Sequence, residues 1–342
     1  MTNKILVTGG YGYIGSHTVI ALQEQGFECI VLDNLINSDL SVGRRIERVS
    51  GKKHLFYNVD IGDRAALMDV FAKEGPISTV IHFAAFKSVN ESVLDPVKYF
   101  DNNVLGLINV IKACEVHGAD LVFSSSCTVY GTALDMPVKE NAPTHSQESP
   151  YGATKAVAET LIHHAVVNRE FRATSLRYFN PVGAHESGLI GEVQISKSVN
   201  LLPIIVDVAL GKRTILEIFG DNYPTDDGSC IRDFIHVCDV AEAHVAAVKH
   251  MKSQDVNYYD IFNIGCGRGT SVLEMVSSFE LINKVNVRRR IVGRRAGDVG
   301  IVWADVSKSK MILNWEATRS LEVIVKTAWD FAVGMDKWAD KK

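Results

Sequence analysis

The sequence predicts a doubly wound α/β fold, a parallel sheet with helices on both faces. In the first 180 residues, short apolar runs alternate with helical patterns, as βαβ units require. A glycine-rich turn, TGGYGYIG, follows the first apolar run and opens the first helix. Polar residues stand where later runs end, and the carboxyl ends of parallel strands are where such sheets bind ligands. These observations favour a Rossmann-like domain.

The elements follow one another in the order that this fold requires. Strands are predicted at residues 5–7, 29–32, 54–59, 80–85, 121–124 and 173–178. Helices are predicted near residues 14–25, 44–49, 64–73 and 97–117, and from Tyr151 to about residue 168. The strands are nearly continuous apolar runs, which is typical of a sheet buried on both faces.

After residue 180 the pattern loosens, with glycine- and asparagine-rich turns such as FGDNYPTDDG. This predicts a second, smaller domain of mixed α/β structure. Between residues 231 and 265 the strand–helix–strand character returns, with a helix near 240–251 and a strand at 261–264. We therefore predict a dinucleotide-binding domain at 1–180, joined by part of 231–265, and a mainly substrate-binding domain at 181–342.

The composition is that of an ordinary globular enzyme. Of 342 residues, 46% are hydrophobic and 22% are charged. The formal net charge of −4 argues against nucleic acid or a membrane surface as a partner, and no apolar run reaches the length of a membrane span. The first residues lack the apolar core of a signal peptide, so we expect a cytoplasmic location.

The six cysteines predict neither a metal site nor a disulfide. They include no C-x-x-C pair, and no His/Cys cluster has the spacing of a zinc site. In a reducing compartment, most of them are expected to pack as small apolar residues.

The glycine turn predicts a dinucleotide site. Gly9, Gly12 and Gly15 let backbone N–H groups, including those of Tyr13 and Ile14, approach a pyrophosphate at the positive end of a helix. Asp33 ends the next strand, eighteen residues after Gly15. A carboxylate there accepts hydrogen bonds from the ribose hydroxyls and repels a 2′-phosphate, so NAD is favoured over NADP.

Two further strand ends extend this site. Asp60 and Ile61 end the third strand, where an adenine would lie, although Asp60 could instead cap the following helix. Phe83, Ala84 and Ala85 end the fourth strand.

Tyr151 and Lys155 are the candidate catalytic pair. Of the ten tyrosines, only Tyr151 has a Lys four residues later, a spacing that puts both side chains on one helix face. There the ammonium can lower the pKa of the phenol, which makes a base. Ser126 ends the fifth strand and is the candidate second hydroxyl. Ser124 and Ser125 could be merely polar strand ends, and Cys127 is interpreted as a packing residue.

The motifs TGGYGYIGSH, SSSCTVYG, SPYGATK, LRYFNPVGAH, FGDNYPTDDG and IRDFIHV resemble those of the UDP-galactose (UDP-glucose) 4-epimerases. These are extended members of the short-chain dehydrogenase/reductase superfamily, and the resemblance covers nearly the whole chain. It implies a homodimer that interconverts UDP-galactose and UDP-glucose through tightly bound NAD. The sugar C4 is transiently oxidised, the 4-keto sugar turns in its pocket, and hydride returns to the opposite face.

The resemblance also implies roles for individual residues. Tyr151 would be the base, Lys155 its partner and a ligand of the nicotinamide ribose, and Ser126 the second catalytic hydroxyl. Further cofactor contacts would be Asn34, Leu35, Asn37, Ser38, Lys87, Asn102, Ser124, Tyr178 and Phe179. UDP-sugar contacts would be Lys87, Asn180, Asn200, Leu201, Phe219, Arg232, Arg295 and Asp298, the two arginines on the diphosphate.

Two departures from the family pattern bear on the substrate. Val299 and Gly300 follow the Gly-Asp pair where a Pro is frequent, and Val302 stands where many bacterial members have Tyr. A smaller side chain at Val302 leaves room for a 2-acetamido group, so UDP-N-acetylhexosamines are expected as additional substrates. The alternatives are that Val302 packs in the core, or that Val299 and Gly300 shift the loop and close the gap.

Two other functions fit parts of the sequence. A nucleotide-sugar 4,6-dehydratase would need an acid–base pair where this chain has Cys127 and Thr128. A non-catalytic NAD sensor would not need Tyr151, Lys155 and Ser126.

Overall fold

A computed structural model of the chain describes residues 3–133, 135–144, 147–167, 171–193, 200–295 and 299–339. Its largest element is a seven-stranded sheet with all strands parallel. The strands are β1 (Lys4–Thr8), β2 (Glu28–Asp33), β3 (Leu55–Asn58), β4 (Thr79–His82), β5 (Asp120–Ser126), β6 (Ala173–Tyr178) and β11 (Tyr259–Ile264). Their order across the sheet is β11-β6-β5-β4-β1-β2-β3. The predicted doubly wound fold is confirmed.

Helices cover both faces of this sheet because successive strand residues point to opposite sides. In β1, Ile5 and Val7 belong to one hydrophobic core and Leu6 to the other. The first core is completed by α1 (Tyr13–Glu24), α2 (Ser41–Ser50) and α9 (Val237–Met251). The second is completed by α3 (Arg64–Glu74), α6 (Gly106–His117) and α7 (Pro150–Val167).

Two of the predicted strands end two or more residues away from the predicted position. β4 ends at His82 rather than at residue 85, since the chain turns there against the glycine loop. The Phe83 N–H donates to the Thr8 carbonyl at 3.0 Å, and a Cβ on Gly9 would lie 2.8 Å from the Ala84 nitrogen. β5 continues to Ser126, two residues further than predicted, because Ser126 still pairs with Tyr178 of β6.

The helix predicted at 97–117 is interrupted. Short helices α4 (Val89–Leu94) and α5 (Pro96–Phe100) lead into a π-helical turn, Asp101–Leu105, before α6 begins. Asn103 in this turn accepts from the Phe86 N–H at 2.8 Å and donates to the Phe86 carbonyl at 3.0 Å. The turn thus holds the loop after β4, and π-helical turns are often found at functional sites.

The rest of the chain forms smaller sheets, two of which contribute to a third core. β7 (Asn180–Val182) pairs with β10 (Phe234–His236), and β8 (Leu216–Phe219) pairs with β13 (Arg289–Val292). β12 (Thr270–Ser271), β9 (Ile231–Arg232) and β14 (Ile301–Val302) form a three-stranded sheet in that order. The helices of this part are α8 (Leu201–Ala209), α10 (Val272–Asn283), α11 (Ser307–Leu313) and α12 (Leu321–Ala339).

No helix within the described ranges is long and apolar enough to cross a membrane. In the same part of the chain, no group of three or more His, Cys, Asp or Glu side chains could hold a metal ion. All six cysteines are described, and none is in a disulfide.

Candidate active site

The glycine turn lies between β1 and α1. Gly9 has a φ of +65°, its N–H donates to the Leu32 carbonyl at 2.7 Å, and its carbonyl accepts from the Gly12 N–H at 3.0 Å. A Cβ on Gly15 would lie 2.3 Å from the Gly9 oxygen, so the helix packs on the turn only with glycine there. No side chain caps α1. Its first N–H groups, beginning at Tyr13 and Ile14, therefore have the character of an anion site.

Asp33 ends β2 beside this turn. Its Oδ2 accepts from the Tyr11 N–H at 3.0 Å, while its Oδ1 accepts from the Leu35 N–H and the Ser38 hydroxyl, both at 2.9 Å. Leu35 has a positive φ of 61°, which bends the chain around the carboxylate. The carboxylate thus organises the glycine turn as well as its own loop.

The ends of β2 and β3 are linked. Asn34 Nδ2 donates to Asp60 Oδ2 at 2.7 Å, and Asp60 Oδ1 accepts from the Gly62 N–H at 2.7 Å. The cap of α3 is Asp63, so the alternative that Asp60 caps this helix is wrong. The side chain of Ile61 is buried in the core, and Asn37 is exposed at the rim.

The loop after β4 forms a further wall of the site. The Phe83 ring packs 4.7 Å from that of His244, and the Ala84 N–H points to the Thr8 hydroxyl at 3.4 Å. Lys87 Nζ forms an ion pair with Glu192 at 2.9 Å. Ala85 is half-buried in the same loop. Asn102 Nδ2 donates to Asn103 Oδ1 at 2.9 Å. Asn103 was not predicted as a site residue, because no motif in the sequence marks it.

The predicted catalytic side chains meet at the carboxyl end of β5. Tyr151 and Lys155 lie one turn apart on α7, with Nζ of Lys155 5.8 Å from the centre of the Tyr151 ring. This Nζ donates to the Ser124 carbonyl at 2.6 Å. Ser126 Oγ accepts from the backbone and the hydroxyl of Thr128, at 3.2 and 3.0 Å.

Burial dominates the electrostatics of this group. It raises the pKa of Tyr151 to about 12, and a hydrogen bond with Ser126 opposes the rise. Burial lowers the pKa of Lys155 to about 7, and the charge of Glu159 opposes the fall. The sequence predicted that Lys155 lowers the pKa of the phenol. Without the cofactor, the net shift of the phenol pKa is upward, because desolvation outweighs the effects that lower it.

Tyr178 ends β6 beside the same group, and Phe179 follows it in the chain. His244 Nδ1 lies 2.8 Å from the Val240 carbonyl oxygen. Because a carbonyl oxygen can only accept a hydrogen bond, this nitrogen carries the proton. Nε2 of His244 then accepts from the Tyr178 hydroxyl at 2.5 Å. The buried Phe179 side chain belongs to a hydrophobic cluster against which Cys127 and Val302 also pack.

The predicted substrate residues occupy strand and helix ends of the second part of the chain. Asn180 begins β7, and Asn200 and Leu201 begin α8. The Arg295 guanidinium stacks 4.2 Å from the centre of the Phe219 ring. Arg232 ends β9, and its charge lowers the pKa of Cys127, which burial raises more strongly. Asp298 lies outside the described residues.

A glycine turn that opens a helix, with a Tyr, a Lys and a Ser at the same edge of a parallel sheet, defines a dinucleotide-dependent enzyme of the short-chain dehydrogenase/reductase class. A sequence model of the NAD dependent epimerase/dehydratase family matches residues 5–265. The UDP-glucose 4-epimerase of Erwinia amylovora is 43% identical over 330 residues, 96% of this chain and 97% of that protein.

Solved structures similar to this chain are also UDP-glucose 4-epimerases. A UDP-glucose-4-epimerase from Stenotrophomonas maltophila, with bound NAD and formylated UDP-arabinopyranose, superposes with a TM-score of 0.95 at 43% identity, covering 98% of this chain and 99% of that one. The UDP-Glc/GlcNAc 4-epimerase of Campylobacter jejuni gives a TM-score of 0.84 at 35% identity, covering 97% and 99%. The chain belongs to the NAD dependent epimerase/dehydratase family and, within it, to the UDP-glucose 4-epimerases.

Proposed function

We propose that this chain interconverts UDP-galactose and UDP-glucose with a tightly bound NAD. The observation that carries the proposal is the meeting of Tyr151, Lys155 and Ser126 at the strand ends that adjoin the glycine turn. Membership of the UDP-glucose 4-epimerases supports the substrate class.

The residues present fit NAD. The uncapped first turn of α1 suits a pyrophosphate, and glycines at positions 9 and 15 let the turn and the helix pack where a Cβ would collide with backbone atoms. Asp33 Oδ2 accepts one hydrogen bond from the described residues, and a carboxylate oxygen can accept two, which leaves a place for a ribose hydroxyl. When bound, NAD⁺ supplies the acceptor for the C4 hydride and a positive charge near the phenol.

Within this chain, Tyr151 takes the proton of the sugar 4-hydroxyl and later returns it. Ser126 bonds the same oxygen and the phenol, which holds both in line. The positive charges of Lys155 and of the bound cofactor counteract the desolvation that raises the pKa of Tyr151. Arg232 and Arg295 anchor the diphosphate while the 4-keto sugar turns, and Asn180, Asn200, Leu201, Phe219 and Asp298 complete the UDP-sugar site.

The dehydratase alternative fits the site poorly. Burial raises the pKa of Cys127 to about 12, and the Thr128 hydroxyl is already donated to Ser126. Neither side chain is suited to acid–base chemistry at the sugar C5 and C6.

The test is to incubate the purified protein with UDP-galactose and no added NAD. An epimerase gives UDP-glucose at equilibrium with the substrate. A dehydratase would accumulate a keto sugar, and a sensor would leave the substrate unchanged. Either of these outcomes would refute the proposal.

We propose that UDP-N-acetylgalactosamine and UDP-N-acetylglucosamine are also substrates. Val302 is partly buried in the same hydrophobic cluster as Cys127 and Phe179, and Cys127 follows the catalytic serine in the chain. The Campylobacter jejuni relative, described as a UDP-Glc/GlcNAc 4-epimerase, is a precedent within the family.

Comparing kcat/KM for both sugar pairs in wild type and Val302→Tyr tests this. Wild type should use both pairs, and Val302→Tyr should lose the N-acetylated pair by about tenfold or more, in line with steric discrimination in pockets. Equal use of the N-acetylated pair by Val302→Tyr would show that Val302 is not the gate.

We propose a homodimer through the outer surface of α4, α5 and α7. Val93, Leu94 and Val97 are 59%, 86% and 76% exposed, and Val157 on α7 is 43% exposed. Helices α4 and α5 both pack on α7, which makes these side chains parts of one apolar surface. Leu94→Glu with Val97→Glu should give a monomer in sedimentation analysis, and an unchanged dimer would contradict this surface.

We also propose the division into a cofactor domain at 1–180, joined by part of 231–265, and a substrate domain at 181–342. The separate third core supports it. The six free cysteines support a cytoplasmic location.

A further inference from the structure

We propose that Glu159 is a positioning residue of this enzyme. Held by Arg177, it fastens β5 to α7 through Ser125 and so sets how Ser126 meets Tyr151. The inference rests on the proposed function, because it concerns the same reaction.

The carboxylate of Glu159 is fixed from two sides. Arg177 of β6 donates from Nε to Oε1 at 2.9 Å and from Nη2 to Oε2 at 2.6 Å. The hydroxyl of Ser125 donates to the same Oε1 at 2.5 Å. All three residues are buried. A bidentate pair of this kind has a defined geometry, so the carboxylate has little freedom.

Arg177 is itself held. Its Nη1 donates to the Glu140 carbonyl at 2.9 Å, and its guanidinium stacks 4.7 Å from the centre of the Tyr130 ring. The Tyr130 hydroxyl in turn donates to Asn263 of β11 at 2.6 Å. The support behind Glu159 therefore extends from β6 to the turn that follows β5 and to the edge strand.

Two bonds then join the end of β5 to successive turns of α7. The Ser124 carbonyl accepts from Lys155, and the Ser125 hydroxyl donates to Glu159. Ser126 is the next residue on the strand, and Tyr151 lies one helical turn before Lys155. Fixing two consecutive strand residues against two consecutive turns fixes the position of the serine hydroxyl relative to the phenol.

The same carboxylate acts on the charge of Lys155, since it counteracts the fall in the pKa of this lysine that burial causes. The titratable and charged residues that face it are Lys155 on its own helix, Arg177 on β6, Tyr130 and Glu140 beyond the end of β5, and Tyr259 on β11. Burial raises the pKa of both phenols. Burial alone would lower the pKa of Arg177, but the hydrogen bonds and the charge of Glu159 raise it. Burial brings the pKa of Lys155 itself to about 7.

Three variants separate the effect of the link between Glu159 and β5 from the effect of the Glu159 charge. Ser125→Ala removes the link to β5 and keeps every charge. Glu159→Gln removes the charge and keeps the side-chain shape. Asp120→Asn is the matched control, because Asp120 is equally buried at the other end of β5 and is paired with Arg172 at 2.9 Å.

We measure kcat, KM and their pH profiles for UDP-galactose, with retained NAD as a check on the cofactor site. Ser125→Ala should lower kcat roughly tenfold or more with KM nearly unchanged, the effect of a misplaced reacting group. In Glu159→Gln the alkaline fall of kcat should begin about one pH unit lower, because Lys155 loses its proton sooner. Asp120→Asn should match wild type in both.

A second measurement does not depend on turnover. The free energy of unfolding, compared with that of Lys155→Met, should begin to rise at a lower pH in Glu159→Gln than in wild type, because the folded Lys155 loses its proton sooner without the carboxylate. If wild type fails to epimerise while this shift is present, the proposed function fails and the positioning role stands. If Ser125→Ala keeps wild-type kcat, or if Asp120→Asn loses as much activity, the positioning role is refuted. Should Glu159→Gln not fold, Ser125→Ala and the control decide.

Discussion

Replacing Asp33 by Ser should change the choice of cofactor and loosen the glycine turn together. The carboxylate accepts from the Tyr11 and Leu35 N–H groups and from the Ser38 hydroxyl. The substitution therefore removes a negative charge that repels the 2′-phosphate of NADP, and it also removes the acceptor that holds the turn.

The size of the structural effect follows from these bonds. A serine hydroxyl can replace one of the three at best, and hydrogen bonds to a charged group contribute about 1.5–3 kcal/mol each, so Asp33→Ser should lower the free energy of unfolding by about 3–6 kcal/mol. This is a large part of the stability of a typical domain. The variant must therefore be compared at a temperature where both proteins are folded.

Ser38→Ala is the matched control. It removes one of the three bonds and keeps the charge, so stability should fall by about 1.5–3 kcal/mol, the effect of a single bond to a charged acceptor, without a change in cofactor preference. The assays are calorimetric unfolding and the dissociation constants of NAD and NADP for each protein. Denatured wild type should release NAD(H), roughly one per chain, because the chain has a single glycine turn.

An unchanged ratio of the two dissociation constants in Asp33→Ser would refute the assigned contact between this carboxylate and the ribose. NADP released from the wild type, or a changed preference in Ser38→Ala, would refute it equally.

Three further predictions concern the catalytic helix and the glycine turn. Tyr151→Phe should keep fold and NAD but lose about 10²- to 10⁴-fold in kcat, the usual contribution of a general base; near-normal turnover would show that another group takes the proton. In wild type, the free energy of unfolding should rise with pH between about pH 7 and the ordinary lysine pKa, because in this range Lys155 binds a proton in the unfolded chain but not in the folded chain. Lys155→Met should lack this rise, and an equal slope in wild type and variant would contradict the lowered pKa of Lys155. Gly15→Ala should abolish NAD retention, since its Cβ would lie 2.3 Å from the Gly9 oxygen, whereas Gly26→Ala, with open space at its Cβ but a positive φ of 83°, should lose stability and keep NAD.

Much of the fold could be predicted from sequence because the strands and helices of the first 180 residues have clear apolar patterns. The glycine turn and Asp33 were placed by local spacing, and the structure brings them together through the Tyr11 N–H. The π-helical turn at Asp101–Leu105 was not predicted. Its cause is the bonding of Asn103 to a loop seventeen residues away, which no local pattern reveals.

The electrostatics were less predictable than the positions. Spacing placed Tyr151 and Lys155 on one helix face, but the direction of the phenol pKa depends on how deeply the site is buried. Glu159 lies four residues after Lys155, a signal that could have been read. Its partner Arg177 comes from another strand, and pairing between distant segments is not encoded in spacing.

The place of β11 in the sheet has a consequence for synthesis of the protein. This strand, Tyr259–Ile264, covers the edge of β6, and its Ile264 carbonyl accepts from the Phe179 N–H at 3.1 Å. A growing chain exposes β6 as an open edge until some eighty further residues have left the ribosome. Exposed edges of this kind recruit other strands. Until β11 is made, the edge of β6 is therefore open to pairing with strands of other chains.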